Sequence, residues 1–127
     1  MTHLSSLPMR SAGMNACLAA CSQCHDTCLE TFSYCLARGG QHADRVHITL
    51  LMACADICRA SADNLLRRTP VHVDTCEACA KICRQCAASC LAMGDDAEMK
   101  RCADACNDCA DKCESMVAGD PASAKAA

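Results

Sequence analysis

The most constraining feature of this chain is its cysteine spacing: sixteen cysteines among 127 residues recur in steps of three, four or seven within four runs. Steps of three and four place side chains on one face of an α-helix. In a helix bundle that face is the buried seam, which leucine usually occupies. The spacing therefore predicts a core lined by thiols, supplied by Cys17, Cys21, Cys24, Cys28, Cys35, Cys54, Cys58, Cys76, Cys79, Cys83, Cys86, Cys90, Cys102, Cys106, Cys109 and Cys113.

Capping residues and glycines divide the chain into four predicted helices. The connections are short, which favours antiparallel neighbours. We predict an all-α fold, an antiparallel up-down-up-down four-helix bundle with a Cys-lined core, over residues 11–118. Residues 1–10 are predicted to be flexible and residues 119–127 to form a disordered tail. The predicted helices run from about Ser11 to Arg38, from near Asp44 to before Pro70, from Asp74 or slightly earlier to Gly94, and from Asp95 or Asp96 to about Val117.

Extending each heptad outward identifies the residues at the two ends of the seam. One end, which we call the mouth, carries soft or borderline metal ligands. The opposite end, which we call the plug, has fewer strong ligands. The mouth gathers Cys35, His47, Met93 and Met99. The plug gathers Met14, Leu65, His72 and Met116.

Three polar positions near the seam are expected to have structural roles. Asp74 with Glu77 resembles a capping box, which places His72 before the third helix and argues against a ligand role. Thr31 and Ser61 fall on the seam, and we expect their hydroxyls to hydrogen-bond to backbone carbonyls.

The cysteine pattern favours Cu(I) over other soft-metal centres. Thiolates select Cu(I), Zn(II) or iron–sulfur clusters, but the ferredoxin run C-x2-C-x2-C-x3-C-P is not in this sequence. Zinc sites are closed four-ligand islands, and several stacked in one core would bury much negative charge. One Cu(I) per thiolate makes the core neutral. We therefore predict many Cu(I) ions, on the order of 16, held for storage and detoxification.

Other classes of function are weighed against copper storage. One is a metallothionein-like protein that sequesters Zn(II) or Cd(II). Another is a disulfide or redox helical module, although Cβ atoms one turn apart lie about 5–6 Å from each other and a disulfide needs about 3.8 Å. A copper-sensing regulator needs a DNA-reading surface, and a net charge of −3 with 2% aromatic residues offers none. The sequence shows no catalytic constellation, so we predict no enzyme.

The N-terminal sequence and the distribution of apolar residues bear on the cellular location of the protein. The first residues lack the apolar stretch of a secretory signal, and no run of about 20 apolar residues predicts a membrane span. These features predict a cytoplasmic protein, in a compartment where thiols stay reduced.

The chain resembles the cytosolic copper storage proteins of bacteria. The resemblance spans about residues 14–116 and rests on the motifs CLAACSQCHDTC, CADIC, CEACAKICRQCAASC and CADACNDCADKC. It implies a four-helix bundle whose cysteines bind many Cu(I) ions, a homotetramer, and copper delivered by a chaperone. The family commonly has histidines between its third and fourth helices, where this chain has LAMGDDAEMK. Met93 and Met99, helped by His47, are expected to take their place.

Overall fold

Four α-helices and one short 3-10 helix make up the part of the chain, residues 9–119, that the computed structural model describes. Each α-helix packs against two others in the cyclic order α1, α2, α3, α4. This arrangement confirms the predicted up-down-up-down bundle. Most of the predicted flexible N-terminus and tail lies outside the described residues. The elements are α1 (Ala12–Arg38), the 3-10 helix (Gly40–Ala43), α2 (Arg45–Arg67), α3 (His72–Leu91) and α4 (Ala97–Val117).

Side-chain caps begin three of the four α-helices. The hydroxyl of Ser11 accepts a hydrogen bond from the Met14 N–H at 3.0 Å. The carboxylate of Asp44 accepts one from the Val46 N–H at 3.1 Å, and Asp96 accepts from the first turn of α4. Each cap satisfies a backbone donor that lacks a partner inside its helix. These three predicted starting points are confirmed.

The third helix begins earlier than Asp74. It starts at His72, and Val71 before it provides no side-chain cap. The Thr69 carbonyl accepts the His72 N–H at 3.1 Å, so the preceding turn winds directly into the helix. Asp74 therefore lies in the first turn. Its negative charge interacts favourably with the helix dipole there, but its side chain does not cap the helix. The predicted capping box at Asp74 and Glu77 is wrong.

Glycines shape the turns after α1 and α3. Gly39 has a φ of 72°, and its N–H donates to the Cys35 carbonyl at 3.0 Å. Gly94 has a φ of 87° in the turn before α4. Positive φ values are accessible to glycine without steric cost. Helix α3 itself ends at Leu91, short of the predicted end at Gly94.

The core holds thiols where large hydrocarbons usually pack. All sixteen cysteines are 0% exposed. Buried alanines follow many of them by one residue, and their small side chains let neighbouring helices approach closely. Fully buried Leu51 and Leu65 supply the large aliphatic volume toward the two ends. The buried alanines that follow a cysteine are Ala55, Ala80, Ala87, Ala103 and Ala110.

Because so few large side chains fill this core, truncating one of them is expected to be costly. Replacing Leu51, which is 0% exposed, with alanine should lower the free energy of unfolding by about 2–5 kcal/mol. The measurement is urea denaturation of the metal-free, reduced protein. The matched control is Leu91→Ala, at a position that is 53% exposed, which should change stability by no more than about 0.5 kcal/mol. Equal losses in the two variants would contradict this description of the core.

Candidate metal centre

Fourteen of the sixteen core thiols gather into five groups in which all the sulfur atoms lie within 4.8 Å of one another, and Cys35 and Cys90 lie outside these groups. Four groups have four sulfurs each, and the group nearest the plug has three. From plug to mouth the groups are Cys17, Cys76 and Cys113; Cys21, Cys79, Cys109 and Cys113; Cys24, Cys58, Cys83 and Cys109; Cys24, Cys28, Cys54 and Cys106; and Cys28, Cys86, Cys102 and Cys106.

Consecutive groups share sulfur atoms. Cys113 belongs to the first and second groups, Cys109 to the second and third, and Cys24 to the third and fourth. Cys28 and Cys106 belong to both the fourth and fifth. The groups therefore form one continuous path along the bundle axis rather than separate islands. Such a path suits thiolates that each bridge more than one metal ion.

Sulfur separations within this path match the size of a soft metal ion. Cys54 and Cys83 have their sulfurs 3.6 Å apart, and the sulfurs of Cys28 and Cys102 are 4.0 Å apart. Four sulfurs at the corners of a tetrahedron with edges of this length lie about 2.3 Å from its centre. This distance equals a zinc–thiolate bond length. An ion thus fits between neighbouring sulfurs with little movement of the helices. All sixteen cysteines are free thiols.

The core thiols differ in the direction in which their surroundings shift the pKa. Hydrogen bonding with Cys106 lowers the pKa of Cys54, whereas hydrogen bonding with Cys109 raises the pKa of Cys58. Burial, with the nearby charges of Cys102 and Asp96, raises the pKa of Cys35 to about 11. Cys35 is therefore protonated at neutral pH. A metal ion that binds there must displace a proton.

Three of the four predicted mouth residues come together. The Nε2 atom of His47 lies 3.5 Å from the sulfur of Cys35, whose thiol also donates to the Met99 sulfur at 3.9 Å. His47 is 2% exposed and Met99 is 0% exposed. Burial lowers the pKa of His47, which keeps the imidazole neutral and able to bind metal. Met93 is only partly buried and packs at the rim of the core.

A hydrogen-bond network beside the mouth was not predicted from the sequence. The carboxylate of Asp96 lies 2.9 Å from His42 Nε2 and accepts a bond from the Tyr34 hydroxyl at 3.0 Å. Arg38 donates to the same hydroxyl at 3.0 Å. Burial opposes ionisation of Asp96, but bonds from the Met99 N–H, His42 and Tyr34 outweigh it and lower its pKa to about 2. The network fixes the 3-10 helix against α1 and α4, next to Met99.

At the plug, Met14, Leu65 and Met116 are buried as predicted. His72 is also buried, at 0% exposure, because α3 begins with it rather than after it. The heptad spacing placed His72 at the plug, and this placement is confirmed, whereas the expectation that His72 precedes the third helix is wrong.

The expectation for the two seam hydroxyls is wrong. Thr31 Oγ1 and Ser61 Oγ are buried, and neither has a hydrogen-bond partner among the described residues. Both residues are 0% exposed, and neither hydroxyl bonds to a backbone carbonyl of the described chain.

Comparison with known proteins identifies a family. The family model described as Csp, copper storage protein, matches residues 10–118. No curated protein sequence gives a match. Among the described residues, none of the helices has the length and apolar character needed to cross a membrane.

Solved structures share the fold. A protein from Nitrosospira multiformis is 36% identical with a TM-score of 0.78, covering 84% of this chain and 95% of its own. The Cu(I)-bound copper storage protein BsCsp3 is 34% identical with a TM-score of 0.77, covering 83% and 98%. The copper storage protein Ccsp from Streptomyces lividans, loaded with 10 copper equivalents, is 27% identical with a TM-score of 0.74, covering 91% and 96%.

Metal binding by protonated thiols should release protons. We expect Cu(I), added anaerobically as its acetonitrile complex to weakly buffered, reduced protein, to acidify the solution by about one proton per thiol engaged. A pH-indicator dye measures the release, and metal-free acetonitrile is the control. Because the pKa of Cys35 is about 11, binding at this thiol should weaken as the pH falls. Copper uptake without acidification would contradict thiol ligation.

Proposed function

The chain belongs to the Csp copper storage protein family, and from this premise we propose that its sixteen cysteines bind about one Cu(I) each, in the manner of a cellular store. The family and its copper-loaded structural relatives establish copper storage as the function. What is proposed is the ligand set and the capacity. The observation that carries the proposal is the sharing of sulfurs between consecutive thiol groups.

Charge balance supports this capacity. A divalent ion held by four unshared thiolates carries two uncompensated negative charges, and burying several such sites is costly. One monovalent ion for each thiolate leaves the interior neutral. Thiolates shared between groups, as at Cys24 and Cys109, allow each sulfur to contact two ions at this ratio. The same reasoning argues against a core filled with isolated zinc sites.

The number of thiols also supports storage rather than catalysis. A catalytic metal centre uses a few ligands and keeps one position open for substrate. Here all sixteen thiols are withdrawn from solvent. We therefore propose that the chain is not an enzyme and that its cargo is held for later release or for protection against free copper.

Cu(I) is proposed to pass through the mouth. At the mouth, the Cys35 thiol contacts both the His47 imidazole and the Met99 thioether. The Nδ1 atom of His47 lies 2.7 Å from the Ser89 hydroxyl, which fixes the ring while Nε2 faces Cys35. Met93 at the rim offers a weaker outer ligand. Imidazole and thioether ligands are neutral and release Cu(I) more readily than thiolates do. This property suits a transfer site.

The cellular setting is proposed from the relatives and the surface. A structural neighbour from Streptomyces lividans is described as a cytosolic copper storage protein, and a cytoplasmic location keeps thiols reduced. Large apolar side chains such as Leu29, Leu36 and Val46 are exposed on the outer faces of α1 and α2. These faces support a homo-oligomer, proposed to be a tetramer, and a chaperone is proposed to deliver the copper.

The capacity depends on the shared thiols. Anaerobic titration of Cu(I) against a chromophoric chelator should reach about 16 ions per chain. Cys24→Ser, at a sulfur shared by two groups, should lower this capacity by about one or two ions while circular dichroism stays helical. Thr31→Ser, at a buried position without a thiol, is the matched control and should keep the full capacity. An unchanged capacity in Cys24→Ser would remove this residue from the site.

The two ends of the bundle should differ in the rate of loading. Met99→Leu removes a thioether at the mouth, and Met116→Leu makes the same change at the plug. We expect Met99→Leu to slow Cu(I) transfer from a chelator on the order of tenfold, equivalent to about 1.4 kcal/mol at the uptake step. Met116→Leu should load at the wild-type rate. Stopped-flow absorbance measures both rates, and equal rates in the two variants would show that Met99 has no part in uptake.

A further inference from the structure

The thiol group nearest the plug has one sulfur fewer than the others. It contains Cys17, Cys76 and Cys113, whereas each of the other four groups contains four sulfurs. The sulfur of Cys17 lies 3.6 Å from that of Cys113 and 3.9 Å from that of Cys76. Helix α2 has Ser61 at the corresponding heptad position, where a thiol would complete the group. A metal ion at this end of the path therefore lacks a fourth sulfur.

His72 is the candidate to complete this group, although without metal its ring nitrogens do not lie within 4.8 Å of all three sulfurs, so the ring or the thiols must shift on binding. It precedes Cys76 by one helical turn on the same face of α3, a spacing that brings Cβ atoms within about 5–6 Å. The side chain is 0% exposed. Met14, Leu65 and Met116, which are also buried, belong to the same end of the bundle. The imidazole is thus buried at the end of the bundle that also carries the three-sulfur group.

The ring of His72 is held with one nitrogen available. Its Nδ1 atom lies 2.9 Å from the Thr69 carbonyl oxygen. A carbonyl oxygen only accepts hydrogen bonds, so Nδ1 carries the proton and Nε2 of the neutral ring keeps its lone pair. Nε2 is buried and has no hydrogen-bond partner among the described residues. Metal-binding histidines are commonly fixed in this way, with one ring nitrogen donating to a carbonyl and the other binding the ion.

A purely structural role does not account for this arrangement. A buried nitrogen without a partner loses its hydration and gains nothing in return. A phenylalanine or leucine would fill the same volume without that loss. The bond to Thr69 satisfies only Nδ1. The unsatisfied Nε2 is explained if a metal ion binds it in the loaded protein.

We propose that His72 Nε2, together with the thiolates of Cys17, Cys76 and Cys113, binds the terminal Cu(I) ion at the plug. This inference rests on the proposed storage function and adds a mixed nitrogen–sulfur site at the end opposite the mouth. Charge favours a neutral ligand there, because a terminal ion has a neighbouring ion on one side only. A fourth thiolate would leave more uncompensated charge beside the apolar plug. Each thiol that binds releases its proton, whereas the neutral imidazole binds without releasing one.

Nitrogen NMR tests this site directly, since Cu(I) has a filled d shell and does not broaden resonances by paramagnetism. Protein labelled with 15N-histidine is compared before and after anaerobic loading with Cu(I). We expect the Nε2 resonance of His72 to move from the position of an unprotonated imidazole nitrogen to that of a metal-bound one. Its Nδ1 should stay protonated. The ring of His25, which is partly exposed and lies beside Asp26, provides an internal reference.

Cu(I) titration of His72→Phe provides the second measurement. This variant should lose about one ion of capacity, or bind its last ion at least about tenfold more weakly, with the remaining ions unaffected. Leu65→Ile, which perturbs the same end without changing a ligand, is the matched control and should keep the full capacity. If His72→Phe does not fold, the NMR experiment on the wild-type protein still decides.

The outcomes separate this inference from the proposed function. Full copper loading with an unmoved His72 Nε2 resonance, or with full capacity and affinity in His72→Phe, would overturn the plug site and leave storage intact. Failure of the wild-type protein to take up many Cu(I) ions would overturn the proposed ligand set and the plug site together.

Discussion

Sulfur atoms from four helices lie 3.6–4.0 Å apart in an interior closed to solvent, and the rest of the structure depends on this contact. Protonated thiols behave as small hydrophobic groups and pack there at little cost. Thiolates left without a counterion would be expensive to bury. The core is therefore electrically neutral in two conditions, with protons on the sulfurs or with monovalent metal ions in their place. Exchange between these conditions is the chemistry of a copper store.

Because thiols form weak hydrogen bonds, the stability of the bundle comes from other features. Side-chain caps begin α1, α2 and α4, and buried alanines allow the helices to pack closely. The two ends of the bundle then differ in chemistry. At the mouth, His47 and Met99 contact Cys35. The hydrogen bond between Asp96 and His42 fixes the neighbouring 3-10 helix in place. At the plug, Met14, Leu65 and Met116 are buried together with a histidine whose Nε2 has no hydrogen-bond partner in residues 9–119.

The helices, the thiol seam and its two ends could be predicted from the sequence, because a repeat of three and four residues reflects helix geometry that tertiary contacts do not alter. The cap of α3 was predicted wrongly, since the Thr69 carbonyl accepts the His72 N–H and the helix begins before the apparent cap at Asp74. The apparent cap argued against a ligand role for His72, although the heptad spacing had placed this residue at the plug. The bonds of Asp96 to Tyr34 and His42 join residues 62 and 54 positions apart, and no local pattern signals such contacts. The unpaired hydroxyls of Thr31 and Ser61 depend equally on tertiary packing.

Anomalous X-ray diffraction from crystals of the protein loaded anaerobically with Cu(I) tests the central claim most directly. Data collected on both sides of the copper absorption edge locate each ion independently of the protein atoms. The predicted result is a row of copper sites along the bundle axis, in which sulfurs such as those of Cys24, Cys109 and Cys113 each contact more than one ion. Copper found on the outer faces of the helices, or isolated ions whose thiolates are not shared, would contradict it.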